Sequence, residues 1–319
     1  MSVPARVAVL GGGGFVGSAV IRALAARPDT LPVRIAAPRL ISASRDAVAL
    51  VAEARRLPSG APLPGFDVVV NAAGDPDASG TDLDRLVGAN ALMPVVALFR
   101  AVRGGARRFV HVSSVAVQGR AEVLDESDRH DPFSPYATSK CLGEEALTLA
   151  SSDAMELVLY RPPSVHAADR RVTRRVAAVA QSPLRSVAGA GRRPSPQALV
   201  ENVGAAVAQL CTAPDPPRVV IHPWEGLTTA ALLQLLGGGR TPRRVPEPIA
   251  RLALWGARAT VGRLPHRGAD VRRVEMLWFG QPQTKSWLTT QGWSPPVGAE
   301  GWRRLAERVS SGEARGARR

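Results

Sequence analysis

The chain has 319 residues, of which 45% are hydrophobic and 4% aromatic, so it can bury a large core in one or two domains. Its formal charge of +14 comes almost wholly from arginines scattered along the chain, since lysine occurs only at positions 140 and 285, and this scatter argues against a nucleic-acid partner. No stretch approaches the roughly 20 apolar residues of a membrane helix, no charged-then-apolar leader precedes the first strand, and Cys141 and Cys211 make neither a disulfide framework nor a metal site, so we expect a cytoplasmic protein without membrane contact or metal.

The first predicted element is a short apolar strand, residues 7–10, which runs into four glycines and then into a helix over about 15–27. Glycine permits a positive-φ turn and lets a backbone approach a pyrophosphate without a Cβ in the way. The helix that follows directs its free N–H groups and the positive end of its dipole at the same phosphates. The spacing of Gly11, Gly14 and Gly17, after a strand and before an apolar helix, therefore predicts dinucleotide binding.

A second strand is predicted over 33–37, after a proline-bounded turn. In NAD-binding folds an acidic residue at the end of this strand holds the adenosine ribose, whereas a nearby arginine suits the 2′-phosphate of NADP. Here the strand is followed by Arg39, and no acid occurs until Asp46. We therefore expect Arg39 to bind the 2′-phosphate of NADP, with Arg45 as a weaker second candidate.

The third predicted strand, residues 66–70, is a continuous apolar run, which is typical of a buried parallel strand. It follows a helix predicted over 45–57 and closes on four residues that would let a cofactor lie across the strand end: Asn71, Ala72, Ala73 and Gly74. A long helix is predicted next, over 81–103. Asn90 lies inside this helix, where no cap or turn is available to it, so it is either packed against a backbone group or part of the site.

The fourth predicted strand, residues 107–112, ends at Ser113 and Ser114. In an open α/β sheet, ligands bind beyond the carboxyl ends of the strands. The next helix carries Tyr136 and Lys140, whose i, i+4 spacing places them on one face of the helix, a turn apart. We therefore expect serine, tyrosine and lysine side chains to meet at one edge of the sheet.

A fifth strand is predicted over 157–161 and is broken by two prolines, after which the alternation of strands and helices loosens. All six tryptophans fall in the last third of the chain. We therefore predict a dinucleotide-binding domain over 1–165, a smaller, mostly helical substrate lobe over 166–309 and a flexible tail over 310–319. A strand and a helix near 197–222 are expected to return to the first domain.

This ordered set of motifs resembles the extended short-chain dehydrogenase/reductase family, of the NAD-dependent epimerase/dehydratase type, over roughly residues 5–225. The resemblance rests on the glycine turn, the small residues after the third strand, the two serines after the fourth, and the Tyr-x-x-x-Lys pair, in this order. It implies an α/β fold with a Rossmann-type, doubly wound parallel sheet. Three segments, 14–20, 199–203 and 278–281, are similar to actinobacterial NDP-hexose 4-ketoreductases, which finish the deoxysugars of antibiotics.

The resemblance implies roles for individual residues. Ser114, Tyr136, Lys140 and, more weakly, Asn90 form the catalytic set, in which Lys140 also binds the nicotinamide ribose. Besides Tyr136 and Lys140, the dinucleotide is expected to contact Gly11, Gly14, Phe15, Val16, Gly17, Arg39, Asn71, Ala72, Ala73, Gly74, Ser113, Pro162 and Val165. The substrate is expected to contact Ser114, Gln118, His166 and Arg174.

The chemistry of this set can be stated directly. A ketone that accepts a hydride from a nicotinamide becomes an alkoxide and needs a proton donor as the charge develops. The ordinary pKa of tyrosine, about 10, is too high for easy exchange. Two neighbouring positive charges, the ammonium of Lys140 and the oxidised nicotinamide, would lower the pKa of Tyr136 by favouring the tyrosinate.

Departures from the family pattern narrow the reaction. Val115 and Ala116 stand where sugar 4,6-dehydratases carry an Asp-Glu pair, so dehydration lacks its proton carriers. The missing ribose-binding acid favours an exchangeable NADPH and a net reduction. Gln118 and His166 replace tyrosines of the family motifs, and His166 is either a second proton donor or a surface residue. A group of arginines either binds a sugar diphosphate or forms the solvated face of a basic helix: Arg170, Arg171, Arg174 and Arg175.

The sequence therefore predicts an NADPH-dependent ketoreductase acting on the 4-keto group of a nucleotide-activated 6-deoxysugar. Three alternatives stay open: a polyketide or aglycone ketoreductase, suggested by the tryptophan-rich last third; a sugar-nucleotide 4-epimerase; and a non-catalytic NADP-binding sensor or scaffold. The resemblance also implies a homodimer, in which the helices of Asn90 and Tyr136 pair between subunits. Which sugar is reduced, and from which face, is left open.

Overall fold

A sheet of six parallel strands organises the protein, in a computed structural model that describes residues 3–57, 61–152, 155–260 and 267–311. The described residues form these strands, six of which make up the main sheet: β1 (Ala5–Leu10), β2 (Thr30–Ile35), β3 (Val68–Asn71), β4 (Arg108–Val112), β5 (Glu156–Arg161), β6 (Ser164–His166), β7 (Ser186–Ala188), β8 (Gln197–Leu199), β9 (Val219–Ile221) and β10 (Arg243–Val245). The central six lie in the order β2–β1–β3–β4–β5–β9, every neighbouring pair parallel. The predicted Rossmann-type α/β fold class is confirmed.

Helices cover both faces of this sheet. The helices of the described residues are α1 (Phe15–Ala25), α2 (Ala47–Arg56), α3 (Leu83–Val87), α4 (Met93–Arg103), α5 (Pro135–Ala150), α6 (Arg171–Gln181), α7 (Val200–Thr212), α8 (Thr229–Leu236), α9 (Glu247–Thr260), α10 (Arg267–Phe279), α11 (Trp287–Thr290) and α12 (Ala299–Ser310), and not all of them lie on the sheet. On one face α1 packs against α7, and on the other α2 packs against α4 and α5. Burial on both faces explains why the central strands are nearly continuous apolar runs.

The strand order leaves β2 at an edge of the sheet. Many dinucleotide-binding sheets run in the order 3-2-1-4-5-6, with a further strand beyond the second. Here the chain passes from β2 through α2 directly to β3, on the far side of β1, and the described residues between β2 and β3 form no other strand. The bounds of β2 also differ from the predicted 33–37. The strand begins at Thr30, ends at Ile35 and contains Pro32, which was expected to lie in the preceding turn. An edge strand tolerates proline because the missing N–H can face solvent.

The helix predicted over 81–103 is interrupted in its middle. Between α3 and α4 the chain forms a π-helical segment, Gly88–Leu92, which contains Asn90. Within the described ranges, the whole run Leu83–Arg103 is the one helix long and apolar enough to cross a membrane, contrary to the expectation that no stretch comes near that length. Its most apolar window is 72% buried inside the protein. It is therefore a core helix of this fold.

The residues after 166 form a second group of elements. Two short parallel pairs, β6–β8 and β7–β10, lie there, and α6, α8 and α12 share an apolar core around Leu232, Leu236 and Trp302. α7 and β9 belong instead to the main sheet and its helical layer. The boundary after residue 165 stays a prediction. Of the predicted tail, Ser310 closes α12, and residues 312–319 lie outside the described residues.

Candidate active site

The glycine turn between β1 and α1 is tightly closed. The N–H of Gly14 donates to the carbonyl of Gly11 at 2.8 Å, and Gly11 has a φ of +74°, a conformation that favours glycine. A Cβ at Gly17 would lie 2.1 Å from the carbonyl oxygen of Gly11, and a Cβ at Gly11 would lie 2.6 Å from the nitrogen of Ala73. Two of the predicted glycines are therefore required by the packing of the turn itself, which seats it on the chain beyond β3.

The residues of this turn fit a dinucleotide pyrophosphate. The helix α1 begins at Phe15 after an extended Gly14, and no side chain caps its first turn, so the amide groups of Phe15 and Val16 remain for a ligand. A Cβ at Gly13 would meet no heavy atom within 4 Å, which leaves the outer face of the turn open. A phosphate could therefore approach these N–H groups from solvent.

The carboxyl end of β3 meets Asn90 and Lys140. A Cβ at Gly74 would lie 2.7 Å from Oδ1 of Asn90 and 3.5 Å from Nζ of Lys140, so glycine is needed for this approach. Asn71, at the end of β3, is buried and accepts a hydrogen bond from the N–H of Ala73 at 3.2 Å. Contacts thus run from the glycine turn through residues 71–74 to the helix that carries Lys140.

Asn90 fastens three segments from within the π-helical turn. Its Oδ1 accepts from the N–H of Asp75 at 3.0 Å, and its Nδ2 donates to the carbonyl of Asp75 and to Oγ of Ser139, each at 3.1 Å. π-helical turns are frequent at functional sites. The structure therefore shows the first of the two alternatives for Asn90, hydrogen bonding to a backbone group. Its bond to Ser139 lies one residue before Lys140 on α5.

Ser114 and Tyr136 lie together at the carboxyl edge of the sheet. Both are half-buried, and the hydroxyl of Ser114 lies close enough to that of Tyr136 to lower its pKa. Ser114 caps the short 3₁₀ turn Val115–Gln118, where its Oγ accepts from the N–H of Ala116 at 3.1 Å. Lys140, only 5% exposed, donates from Nζ to the carbonyl of Val112 at 3.2 Å. The structure therefore brings three predicted catalytic side chains to the same strand end.

The charge balance at Tyr136 differs from the expectation. Burial raises the pKa of Tyr136, with the charge of Asp75 acting in the same direction, while the hydrogen bond from Ser114 and the charge of Arg170 lower it. The expected lowering of the pKa of Tyr136 by Lys140 is not found, because Lys140 is itself desolvated: burial lowers its pKa to about 8, against the charges of Glu144 and Asp75. Asp75 was missed by the sequence reasoning, although it directly follows the predicted strand end, and Arg170 was considered only as a member of the arginine group.

Ser113 is turned away from Ser114 into a buried ion-pair network. Its Oγ donates to Glu144, which also receives three hydrogen bonds from Arg161: Nε to Oε1 at 3.0 Å, Nε to Oε2 at 3.2 Å and Nη2 to Oε2 at 2.6 Å. Nε2 of His130 lies 2.9 Å from Oε2 of Glu144, and its Nδ1 lies 3.0 Å from Oε1 of Glu145. The expected cofactor contact of the Ser113 hydroxyl is therefore not supported, since Glu144 already holds that group.

These partners fix the charges in the network. Although burial alone would raise the pKa of Glu144, hydrogen bonds from His130 and Arg161 lower it to about 2. For His130, burial acts to lower the pKa, but the hydrogen bonds to Glu144 and Glu145 outweigh it and raise the pKa to about 9. Near neutral pH the network therefore contains two cations and two carboxylates.

Two predicted substrate residues are engaged elsewhere. His166 is fully buried, with Nδ1 3.0 Å from Oγ1 of Thr173 and Nε2 2.7 Å from Oε1 of Gln197, and burial lowers its pKa to about 4. Gln118 is buried and bonded through both ends of its amide to Asp125, at 2.7 and 3.0 Å. The hydrogen-bonding groups of both side chains are used within the protein, which favours structural roles over substrate contact.

The remaining predicted residues lie around the site. Arg39 is exposed four residues beyond β2, and Arg174 is exposed on α6. Pro162 accepts a hydrogen bond from the N–H of Val115 at 3.0 Å, and Val165 lies in β6. Arg34, which the sequence reasoning missed, runs its side chain beside the glycine turn, 3.0 Å from where a Cβ of Gly12 would lie. Its place on β2 across from the turn was the available signal.

The acids near the adenosine end have other roles. Asp46, the first acid after β2, caps α2 by accepting from the N–H of Ala49 at 2.8 Å, so it is not poised for a ribose. Within the described residues, no group of three or more His, Cys, Asp or Glu side chains is arranged to hold a metal ion.

Comparison with known proteins identifies the fold and the family of the chain. A comparison with curated protein sequences finds no match. Similar solved structures include human epimerase family protein SDR39U1 (isoform 2) with NADPH, at 20% identity and a TM-score of 0.64 over 95% of this chain and 99% of that one. MoeE5 in complex with UDP-glucose and NAD has 18% identity and a TM-score of 0.61, over 97% of this chain and 99% of that one. dTDP-4-dehydrorhamnose reductase from Bacillus anthracis str. Ames, in complex with NADP, has 12% identity and a TM-score of 0.59, over 96% of this chain and 98% of that one.

At these identities the solved structures show a shared fold. The model of the NAD dependent epimerase/dehydratase family matches residues 7–193, more than half of the chain, and this span contains the glycine turn, Ser114, Tyr136 and Lys140. The chain therefore belongs to the NAD-dependent epimerase/dehydratase family.

Proposed function

We propose that the protein is an NADPH-dependent ketoreductase that reduces the 4-keto group of a nucleotide-activated 6-deoxysugar. The observation that carries the proposal is the meeting of Ser114, Tyr136 and Lys140 at the carboxyl end of β4, where Lys140 is buried and donates to the carbonyl of Val112. A carbonyl oxygen placed against the hydroxyls of Ser114 and Tyr136 would meet two donors at the point where negative charge develops.

The roles of the side chains follow from their surroundings. When bound, NADPH supplies the hydride. Tyr136 gives its phenolic proton to the substrate oxygen, and Ser114 holds that oxygen by a hydrogen bond. Lys140, buried and beside Gly74, is placed to bind the ribose of the nicotinamide, the second role that the family resemblance assigns to it.

Two features favour reduction over the other reactions of the family. Val115 is buried and begins an apolar 3₁₀ turn with Ala116, so no acid–base pair follows Ser114 as dehydration would need. The end of β2 offers Arg34 and Arg39 rather than a ribose-binding acid, which supports NADP over a tightly held NAD. Among the solved relatives, dTDP-4-dehydrorhamnose reductase binds NADP, which is consistent with the proposal.

The substrate class rests on two supports. The family of the chain and its solved relatives include proteins whose structures contain UDP-glucose or that act on dTDP-4-dehydrorhamnose. The segments 14–20, 199–203 and 278–281 add the resemblance to NDP-hexose 4-ketoreductases of antibiotic-producing actinobacteria. We therefore propose a nucleotide-linked keto sugar rather than a free ketone.

Incubation with NADPH and a panel of nucleotide-linked 4-keto-6-deoxysugars, followed at the absorbance of the reduced nicotinamide, tests the proposal. Tyr136→Phe is expected to lower kcat by about 10²–10⁴-fold while NADPH binding is retained, because only the proton donor is lost. Reduction by Tyr136→Phe at the parent rate would refute the assignment of the donor.

The matched control is Tyr160→Phe, which removes the only other phenol of the chain. Tyr160 is buried 2.6 Å from Nδ1 of His222, so this variant should lose stability and keep turnover. Bound NAD that survives purification, with no NADPH consumption on any keto sugar, would favour an epimerase instead. Reduction of free aglycone ketones alone would move the substrate to that class.

A further inference from the structure

The arginines at the start of α6 are not equivalent in the structure. Arg171, Arg174 and Arg175 are exposed, and Arg175 donates to Oγ of Ser79 at 3.2 Å. Arg170 is half-buried, and its guanidinium carbon lies 4.2 Å from the centre of the Phe15 ring. A guanidinium over an aromatic face is held in place by the ring quadrupole. The structure thus separates one arginine of this group from its neighbours.

The location of Phe15 gives this contact its meaning. Phe15 is the first residue of α1 and directly follows the glycine turn, whose outer face is open at Gly13. Arg170 reaches the same place from the loop between β6 and α6. Its charge also acts on Tyr136, lowering the pKa against the effect of burial. Arg170 therefore lies beside the turn, and its charge also reaches the proposed proton donor.

Arg170 has hydrogen-bonding capacity that the protein does not use. Its Nε is buried and has no hydrogen-bond partner among the described residues, nor does any described carboxylate lie within 4.0 Å of its guanidinium. A buried donor without an acceptor costs about 1–3 kcal/mol, and more when it is charged. A ligand oxygen at this place would satisfy the donor, and a guanidinium suits the oxygens of a phosphate, which accept two parallel hydrogen bonds.

We propose that Arg170 binds the diphosphate of a nucleotide in this site, from its place over Phe15 beside the glycine turn. The inference rests on the proposed function for the presence of two such ligands. One is the dinucleotide, whose pyrophosphate would lie at the turn beside Phe15, and the other is the sugar nucleotide, which carries the same diphosphate chemistry. Arg170 would thereby tie a loop of the C-terminal half to the ligand held by the first half.

Titration calorimetry on the full-length protein tests the inference, with NADP⁺ and dTDP as separate probes. Arg170→Gln removes the charge and the stacking plane, and we expect about a 10–100-fold weaker dissociation constant for the diphosphate that Arg170 holds. Arg170→Lys keeps the charge without the fork and should lose less. Arg303→Gln, which removes one exposed arginine on α12, is the charge-matched control and should bind both probes like the parent.

The two probes distinguish the sources of the diphosphate. A loss for NADP⁺ alone assigns Arg170 to the dinucleotide, and a loss for dTDP alone assigns it to the sugar nucleotide. Parent-like binding of both probes by Arg170→Gln, with an unchanged melting temperature, overturns the inference. The outcome is separate from the proposed function, because a parent protein that binds the probes and reduces no keto sugar would refute the reductase and leave the role of Arg170 measurable.

Discussion

Two arginines lie near the adenosine end of the site, and they differ in what surrounds them. Arg39 is exposed beyond the end of β2, whereas the stem of Arg34 covers Gly12 within the glycine turn. A 2′-phosphate is held by charge-assisted hydrogen bonds, each about twice as strong as a neutral one. The side chain that binds it should discriminate NADPH from NADH, and the one that only packs on the turn should not.

We expect Arg39→Ala to raise the dissociation constant of NADPH by about tenfold or more and to leave that of NADH nearly unchanged, since only NADPH carries the second phosphate. Fluorescence titration with both cofactors measures the difference. Arg34→Ala is the comparison variant. A selective loss of NADPH in Arg34→Ala, with Arg39→Ala like the parent, would transfer the phosphate to Arg34.

At this scale the sequence predicts residues whose spacing is local and misses those whose partners are distant. Tyr136 and Lys140 are one turn apart on a helix, so their common face follows from the chain alone. The burial of His166 depends on Gln197, and that of Ser113 on Glu144, contacts that no local pattern contains. A histidine at the start of a loop and a serine at a strand end therefore looked available when both were already bonded.

The π-helical segment determines how closely α5 can approach the neighbouring helix. A Cβ at Gly143 would lie 2.2 Å from the carbonyl oxygen of Asn90, so the two backbones touch at a glycine. The approach seats α5, with Tyr136 and Lys140, against the chain that follows β3. It thereby sets the distance between the catalytic helix and the proposed cofactor site.

Gly143→Ala should therefore destabilise the protein by about 1–3 kcal/mol, because the added methyl group meets backbone that cannot move without displacing Asn90. Gly256→Ala is the matched control, within α9 and with nothing within 4 Å of the new Cβ, and should stabilise by about 0.5–1 kcal/mol. Urea unfolding measures both. Equal stability of Gly143→Ala and the parent would contradict the close approach.

The elements themselves were largely predictable. Short apolar stretches identified β1, β3, β4 and β5, and the continuous apolar run of β3 that ends in small residues is typical of a buried parallel strand. The sequence could not predict the π-helical segment, whose hydrogen bonds to Asp75 and Ser139 arise from tertiary contacts. Pro32 was predicted to lie in a turn, but it lies within β2. A strand accepts proline when it is at the edge of a sheet, and the edge position of β2 cannot be predicted from the local sequence.

Across the whole molecule, the network of Glu144, Arg161 and His130 joins α5, β5 and the loop before α5. Its charges link stability to pH. The pKa of His130 is raised in the folded state from 6.5 to about 9, so the protonated form stabilises folding fully below pH 6.5, and this contribution is lost as pH rises through about 9. The contribution is on the order of 3 kcal/mol at most, given a side chain 17% exposed.

We expect the difference in unfolding free energy between the parent and His130→Gln to shrink as pH rises from 6 to 9.5, as measured by denaturant unfolding at each pH. Lys140 has the opposite effect, since its pKa is lowered from 10.5 to about 8 and the free energy of unfolding therefore rises as pH rises from about 8 to 10.5. This effect is present in both proteins and cancels in the difference between them. Glu145→Gln removes one partner of His130 and should move the loss to lower pH. A difference that is constant across the range would refute the protonated state of His130.

Assembly and location are predictions at the scale of the whole molecule as well. The homodimer through the helices of Asn90 and Tyr136, the boundary after residue 165 and the cytoplasmic location rest on the sequence. Light scattering in solution measures the oligomeric state directly.

The place of β2 at the margin of the sheet has a consequence for solubility. A terminal strand presents backbone donors and acceptors to which a strand of another molecule can add, and such additions lead to aggregation. Pro32 removes one of the donors from β2, and Arg34 adds a charge two residues later. A protein that ends its sheet one strand early thus carries, on that very strand, two features that discourage further strands from joining it.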